Sequence, residues 1–283
     1  MRLALITFVA MLAFAGNSLL CRVALKETGI DPASFTSIRI LSGALVLWAI
    51  VRMRGSVQGA AGNWPSAFWL FAYAAGFSFA YVTLPAASGA LLLFGAVQAT
   101  MIGYGLWKGE RLQAIQVAGM LVAFAGLAGL LLPGASAPPE MGAALMLFAG
   151  ISWGIYSLRG RGAGDPTRVT AGNFLRAVPF AMLVSLALLS RASVDVPGAL
   201  YAMASGALAS GVGYAIWYTA VRELKATSAA TVQLSVPVIA ALGGVAFLGE
   251  PITLRLALSS VAILGGVAMV TLCPPLSEER QRA

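Results

Sequence analysis

The chain has 283 residues, of which 59% are hydrophobic and only 10% are charged, and its mean hydropathy is +0.88. A soluble domain needs far more charge to cover its surface, so this composition excludes a soluble protein and predicts an integral membrane protein. A net charge of +8 would suggest a nucleic-acid partner for a soluble protein, but basic residues collect in the short cytoplasmic loops of a membrane protein. We therefore expect a lipid-bilayer environment and no nucleic-acid partner.

Ten apolar segments follow one another along the chain. A hydrocarbon core of about 30 Å needs about 20 such residues per helix. We number the segments as spans 1 to 10: Leu3–Leu25, Ser34–Val51, Ser66–Thr83, Ala87–Trp107, Gln113–Leu132, Met141–Leu158, Thr170–Leu189, Pro197–Val221, Ser228–Leu248 and Leu254–Leu272. The connections are short, so consecutive spans should be antiparallel neighbours. The predicted fold is an all-α integral membrane bundle of ten transmembrane helices.

Positive charge is distributed unequally between the two sides of this bundle. With the N-terminus inside, four basic residues fall outside, namely Arg22, Lys26, Arg191 and Arg255. Twelve fall inside: Arg2, Arg52, Arg54, Lys108, Arg111, Arg159, Arg161, Arg168, Arg222, Lys225, Arg280 and Arg282. Short cytoplasmic loops are enriched in Lys and Arg, so this bias predicts that both termini are cytoplasmic.

The chain also repeats itself. Leu84–Gly126 matches Leu224–Gly266 at eight of 43 positions, including a Gly-Glu pair that ends with Glu110 in one copy and Glu250 in the other. We divide the chain into a first five-helix repeat (1–133), a linker (134–140), a second five-helix repeat (141–273) and a cytoplasmic tail (274–283). Five spans per half is an odd number, so the second half must enter the membrane from the opposite side. Such an inverted-topology repeat is typical of transporters that work by alternating access.

Several short motifs follow one another along the two halves of the chain. They are Gly16–Ser18, Arg22–Leu25, Ile38–Leu41, Gly150–Tyr156, Gly213–Val221, Gln233–Ile239 and Leu248–Glu250. This pattern resembles the drug/metabolite transporter superfamily, in its ten-helix EamA-type branch, and its aromatic and neutral amino-acid exporters in particular. The resemblance implies a bacterial inner-membrane exporter of amino acids or other small metabolites. Relatives often carry a proline in span 4 that matches Pro237, but Val97 stands there in this chain.

Acids and histidine are missing where a proton pump or an enzyme would need them. The chain has no His, and its ten Asp and Glu residues fall in loops or at the ends of spans. This argues against a proton relay, against an enzyme, and against a metal or other cofactor. We interpret Glu110 and Glu250 as residues that stabilise the start of the following helix through its dipole, and a direct transport role is the alternative.

Uncharged side chains are the better candidates for contact with a substrate. We predict that spans 1, 3, 4, 6, 8 and 9 enclose one central site, and that Pro237 in span 9 acts as a hinge. The predicted substrate-binding residues are Asn17, Ser18, Tyr81, Gln98, Trp153, Tyr156, Tyr214, Trp217 and Gln233. The alternative for Trp217 and Tyr218 is an aromatic belt at the membrane surface.

Two arginines lie within spans 2 and 7. Arg39 and Arg176 could each hold a substrate carboxylate, because an arginine in hydrocarbon is a functional candidate by default. The alternative is that each extends its side chain to the membrane surface or caps a neighbouring helix. The predicted function is export of small metabolites, and the predicted small-molecule partners are aromatic or neutral amino acids. A structural or lipid-scramblase-like membrane protein is the alternative, and the sequence assigns no oligomeric state.

Overall fold

A computed structural model describes residues 2–55, 61–109, 111–134, 137–160, 164–221, 223–224 and 232–272, and within these residues the chain is helical without a strand. The helices are α1 (Arg2–Glu27), α2 (Pro32–Met53), α3 (Trp64–Tyr81), α4 (Ala86–Trp107), α5 (Ala114–Leu131), α6 (Glu140–Gly160), α7 (Pro166–Ala187), α8 (Val196–Ala204), α9 (Gly213–Val221), α10 (Ser235–Leu248) and α11 (Leu254–Leu272). A 3-10 turn (Leu189–Arg191) follows α7, and a π-helical segment (Ser205–Val212) joins α8 to α9 in one continuous run.

Eight of the described segments are long and apolar enough to cross a membrane. They are α1, α2, α4, α5, α6, α7, the run Val196–Ala220 and α11. Two further apolar helices complete the bundle: α3 has 18 residues and is rich in aromatic side chains, and α10 has 14. Within the described residues, the chain is therefore an all-helical membrane bundle with eight to ten apolar helices.

Three helices begin at an aspartate followed by a proline in the first turn. Asp31, Asp165 and Asp195 cap α2, α7 and α8, and each side chain accepts hydrogen bonds from backbone N–H groups of the first turn. The aspartate accepts hydrogen bonds from first-turn N–H groups that have no partner within the helix. Proline has no N–H, and in the first turn this breaks no hydrogen bond of the helix. These local signals fix where the helices start.

Every major helix pair joins the first half of the chain to the second. α5 packs along α11, α2 along α7, α3 and α4 along α6, and α1 along α10. Small residues permit this close approach: a Cβ added at Gly150 would lie 2.6 Å from the carbonyl oxygen of Leu93. The two halves therefore interlock and do not form separate bodies.

The structure departs from the predicted spans at span 9. Leu234 interrupts the helix, and α10 begins at Ser235, which puts Pro237 in its first turn instead of its interior. Proline has no N–H to donate to the carbonyl of Gln233 four residues earlier, so a break here is physically expected. Glu110, residues 228–231, Cys273 and the predicted tail lie outside the described residues.

Candidate functional site

A cavity of about 30 Å³ lies between helices of both halves, and its volume holds about one water molecule. Its lining comes from α1, α3, α4, α6, the π-helical segment, α9 and the turn before α10. Those elements correspond to the six spans predicted to enclose a site. The lining residues are Phe14, Asn17, Ser18, Tyr73, Phe77, Leu93, Phe94, Trp153, Ala209, Tyr214 and Gln233. We call this the central cavity.

A buried polar chain runs along one wall of the central cavity. Arg39 on α2 donates through Nη2 to the hydroxyl oxygen of Tyr73 at 3.1 Å. Asn17 donates to the same oxygen at 3.4 Å, and Ser205 donates to the amide oxygen of Asn17 at 2.6 Å. The π-helical segment supplies Ser205, so this unusual winding places a hydroxyl group where α1 needs a partner. The chain links three helices and the π-helical segment through uncharged groups and one guanidinium.

Aromatic rings also line the central cavity and pack against one another. The ring of Trp153 on α6 lies 4.8 Å from that of Tyr73, 5.4 Å from that of Tyr214 and 5.4 Å from that of Tyr156. Phe14 meets the Tyr214 ring edge-on at 5.7 Å. Such contacts hold the rings in a fixed arrangement, so the wall offers a preorganised apolar surface.

One end of the bundle is tied by neutral groups, which we call the hydroxyl cluster: Tyr156, Thr170, Asn173 and Tyr218. Tyr156 donates to Thr170 at 3.5 Å and accepts from Asn173 at 3.4 Å, while Thr170 donates to Tyr218 at 3.1 Å. These residues lie near the end of α6, the start of α7 and the end of α9. The amide oxygen of Asn173 also accepts from the backbone N–H of Asn63 before α3, which ties the cluster to the first half.

The other end is tied by an ion pair, which we call the charged cluster: Arg22, Glu250, Tyr81 and Ala86. Arg22 near the end of α1 lies 3.0 Å from Glu250, and both side chains are about nine-tenths buried. Arg22 also donates to the carbonyl oxygen of Tyr81 at 2.9 Å, and the N–H of Ala86 donates to Glu250 at 2.7 Å. Glu250 therefore caps α4 of the first half. Our interpretation that it stabilises the start of the following helix is wrong, because α11 begins only at Leu254.

Loops near the charged cluster hold the halves together as well. The backbone N–H of Ser193 donates to the Asp31 carboxylate at 3.0 Å, and that of Gly29 donates to Asp195 at 3.0 Å. Partial burial raises the pKa of the Asp31 carboxyl, but hydrogen bonds from Ser34, Ser193 and Ala33 outweigh it, so the pKa lies below its ordinary value. Hydrogen bonds, first of all from Gly29, likewise lower the pKa of Asp195.

Five of the nine predicted substrate-binding residues line the central cavity: Asn17, Ser18, Trp153, Tyr214 and Gln233. Tyr156 and Trp217 are buried just beside it, Tyr156 against Trp153 and Trp217 edge-on to Phe14 at 5.9 Å. Tyr81 is elsewhere: its hydroxyl group donates to the carbonyl oxygen of Ala86 in the charged cluster.

Gln98 faces a different space. It lines an apolar groove of about 260 Å³ between α4, α5 and α11, together with residues such as Phe124 and Ile263. Gln98 lies one helical turn beyond Phe94 on the same side of α4, but only Phe94 is among the residues that line the central cavity. The sequence does not reveal how far along span 4 the cavity extends, so it did not separate Gln98 from Phe94.

The two arginines have different environments. Arg176 donates to the backbone carbonyl oxygens of Ala61 and Gly172, at 2.8 and 3.0 Å, so it braces the chain before α3 and does not reach the central cavity. Arg39 is 2% exposed and lies directly behind Tyr73. The snorkelling alternative is therefore wrong for Arg39, because a side chain that reached the membrane surface would be exposed.

Sequence reasoning missed six lining residues: Phe14, Tyr73, Phe77, Leu93, Phe94 and Ala209. Tyr73 matters most, because it joins Arg39 to Asn17. The spacing of Tyr73, Phe77 and Tyr81 by four residues was a usable signal, since it puts three aromatic rings on one side of α3. No group of three or more His, Cys, Asp or Glu residues that could hold a metal occurs among the described residues.

Comparison with known proteins gives a family and a fold. The sequence pattern of the EamA-like transporter family matches residues 140–272. The uncharacterized protein PA1977 of Pseudomonas aeruginosa is 56% identical over 97% of this chain and 96% of its own length. An uncharacterized transporter of Archaeoglobus fulgidus is 26% identical over 87% of this chain and 89% of its own. One crystal structure of a protein with 23% identity covers 96% of this chain and 97% of its own, with a TM-score of 0.68, and shows a shared fold.

Proposed function

Because the chain belongs to the EamA-like transporter family, we propose that it is a secondary transporter that exports aromatic or other neutral amino acids. The observation that carries this proposal is the central cavity. Its wall combines aromatic rings with the uncharged polar groups of Asn17, Ser18 and Gln233. Apolar pockets with a few fixed polar groups are the usual form of small-molecule sites.

The chemistry of this lining suits an amino acid. The rings of Trp153 and Tyr214 offer a flat apolar surface for a side chain, and the amide and hydroxyl groups offer partners for its backbone atoms. No carboxylate is among the lining residues, so a substrate with an apolar side chain meets no desolvated acid. A strongly cationic substrate would lack a counter-charge in this lining.

The two clusters support alternating access. The positive-inside bias assigns the charged cluster to the outer side and the hydroxyl cluster to the cytoplasmic side. With both ends tied and a central cavity of about 30 Å³, the structure represents a closed arrangement. Export would require the Arg22–Glu250 pair to separate when the outer end opens. We further propose transport without proton coupling, because no Asp or Glu is among the residues that line the central cavity.

Counterflow in proteoliposomes tests the substrate. Vesicles containing the purified chain are loaded with one unlabelled amino acid at high concentration, and uptake of the same radiolabelled amino acid is measured. We expect accumulation of at least one aromatic or neutral amino acid, absent from protein-free vesicles. No accumulation across all twenty amino acids would overturn the substrate proposal, and flipping of a fluorescent lipid by the same vesicles would favour lipid handling instead.

A second measurement tests the absence of proton coupling. Accumulation is compared in vesicles with equal internal and external pH and in vesicles with an imposed pH gradient. We expect counterflow without a gradient, since exchange needs only the substrate itself. Transport that stopped when the gradient was removed would contradict this part of the proposal.

A further inference from the structure

Arg39 is a buried cation without a counter-ion among the described residues. Its side chain is 2% exposed, it forms neither of the two ion pairs in that part of the chain, and its Nη1 atom has no hydrogen-bond partner there. The rings of Tyr73 and Phe77 lie 5.2 and 4.9 Å from the guanidinium carbon and stabilise it by cation–π contact. A guanidinium has five N–H donors, so this environment leaves donor capacity unused.

The other buried arginine shows what a satisfied environment looks like in this fold. Arg22 faces the Glu250 carboxylate at 3.0 Å and two backbone carbonyl oxygens at 2.9 and 3.1 Å. Arg39, by contrast, donates to a single oxygen atom, the hydroxyl oxygen of Tyr73. A buried charge normally needs a paired and hydrogen-bonded partner, so the environment of Arg39 is incomplete as it stands.

The hydrogen-bond pattern at Tyr73 shows where the missing partner would sit. Its hydroxyl oxygen accepts from Arg39 and from Asn17, which uses its acceptor capacity. Its own hydrogen reaches no acceptor among the described residues, and Tyr73 lines the central cavity. The hydroxyl group is therefore a donor next to the cavity, strengthened by the positive charge behind it.

We propose that the central cavity recognises a carboxylate group of its substrate, which accepts a hydrogen bond from Tyr73 and is paired electrostatically with Arg39. This inference rests on the proposed function and names the chemical group on which substrate selection depends. Tyr73 is the contact residue, and Arg39 is a positioning residue that acts through it. A substrate without the carboxylate would leave the guanidinium uncompensated, so such a compound is rejected.

Matched pairs of ligands test the proposal. Binding of L-phenylalanine, L-leucine and L-threonine to the full-length chain in detergent is measured by isothermal titration calorimetry and compared with binding of the corresponding amides. In each pair the two compounds have nearly the same size, and only one carries a carboxylate. We expect the wild-type chain to bind at least one acid about tenfold or more tightly than its amide, as for a charge-assisted hydrogen bond.

Variants locate this preference in the proposed residues. Arg39→Gln should bring the ratio of acid to amide affinity close to one, Tyr73→Phe should lower it, and Arg39→Lys should keep part of it. Arg176→Gln is the matched control, since that arginine braces a backbone segment outside the cavity and should keep the full ratio. If Arg39→Gln fails to fold, Tyr73→Phe and Arg39→Lys still decide the question.

The outcomes separate this inference from the proposed function. Wild-type protein that transports amino acids but binds acids and amides equally would overturn the carboxylate site and leave the transporter proposal standing. So would an Arg39→Gln or Tyr73→Phe variant with an unchanged ratio. A complete lack of counterflow with every amino acid would instead overturn the proposed function.

Discussion

The two ends of the bundle are built on equivalent positions but held by different chemistry. At an offset of 134 residues, the Asp31-Pro32 start of α2 matches the Asp165-Pro166 start of α7. The same offset matches Arg22 of the charged cluster with Tyr156 of the hydroxyl cluster. Among the described residues, the charged cluster contains a buried ion pair, whereas the hydroxyl cluster contains only neutral groups, with Arg159 and Arg176 bonding nearby to Ser66 and Ala61. The repeat predicted from the sequence thus does not by itself make the two ends equal in free energy.

The difference changes what each end needs in order to open. Separating Arg22 from Glu250 leaves two charges that must find water or new partners, and a buried charge left alone is strongly destabilising. Separating Tyr156 from Thr170 and Asn173 breaks contacts of 3.4 to 3.5 Å between neutral groups, which contribute less. We expect the charged end to be the harder one to open.

The largest expected effect comes from Glu250→Gln, which removes the charge but keeps the shape of the side chain. Arg22 would stay buried without a counter-ion, so we expect the free energy of unfolding to fall by about 3–5 kcal/mol. The measurement is reversible unfolding of the purified protein in mixed detergent micelles.

Glu27→Gln is the matched control for Glu250→Gln. Glu27 pairs with Lys26 at 3.1 Å, but its side chain is about half exposed. An exposed pair contributes about 0–1 kcal/mol, so this change should be nearly silent. Equal losses of unfolding free energy in the two variants would show that the buried Arg22–Glu250 pair stabilises the fold no more than an exposed pair does. The two ends of the bundle would then not differ in the way proposed.

Tyr156→Phe probes the other end and should have a smaller effect. It deletes the hydroxyl group that bonds Thr170 and Asn173 while the ring keeps its contact with Trp153. We expect a loss of about 0.5–1.5 kcal/mol in the same unfolding measurement. Tyr104→Phe, on an exposed side chain, serves as the control. A loss as large as that of Glu250→Gln would reverse the predicted order of the two ends.

The smallest expected effect is a loss of stability at low pH that arises at the end of the bundle near the charged cluster. The pKa of Asp31 is lowered in the folded chain, so its carboxylate contributes full stability above its ordinary pKa of about 3.9 and loses this contribution as pH falls through the folded value. We expect the thermal midpoint to drop below about pH 4, and Asp31→Asn to flatten that drop. An unchanged pH profile in Asp31→Asn would show that Asp31 does not cause the drop in the thermal midpoint.

Local signals were enough to predict most of the fold. Apolar runs of about 20 residues give the helices, and Asp-Pro pairs such as Asp165-Pro166 mark where helices start. The family resemblance, drawn from short motifs, agrees with the match of residues 140–272 to the EamA-like transporter family. The hydropathy of a helix depends only on its own sequence, so it can be calculated without knowing which helices pack against it.

The parts that could not be predicted depend on neighbours far along the chain. Glu250 finds its partner Arg22 across 228 residues, and Arg39 finds Tyr73 on another helix. Ser205 in the π-helical segment finds its partner Asn17 across 188 residues. Tyr81 and Gln98 each lie one helical turn beyond a lining residue, Phe77 or Phe94, on the same side of the helix. How far along a helix the cavity extends depends on the neighbouring helices, which hydropathy does not describe.

The small central cavity has a consequence for measured affinities. A site for a small molecule occupies several hundred Å³, whereas this one holds about 30 Å³. The arrangement that accepts a substrate must therefore differ from this one. If it makes up only a fraction of the population, the apparent dissociation constant exceeds the intrinsic one in inverse proportion to that fraction. A substitution that loosens either cluster would thus tighten apparent binding without touching the site. The same equilibrium, between the closed arrangement and the one that accepts a substrate, therefore sets both how tightly the bundle closes and how weakly it binds.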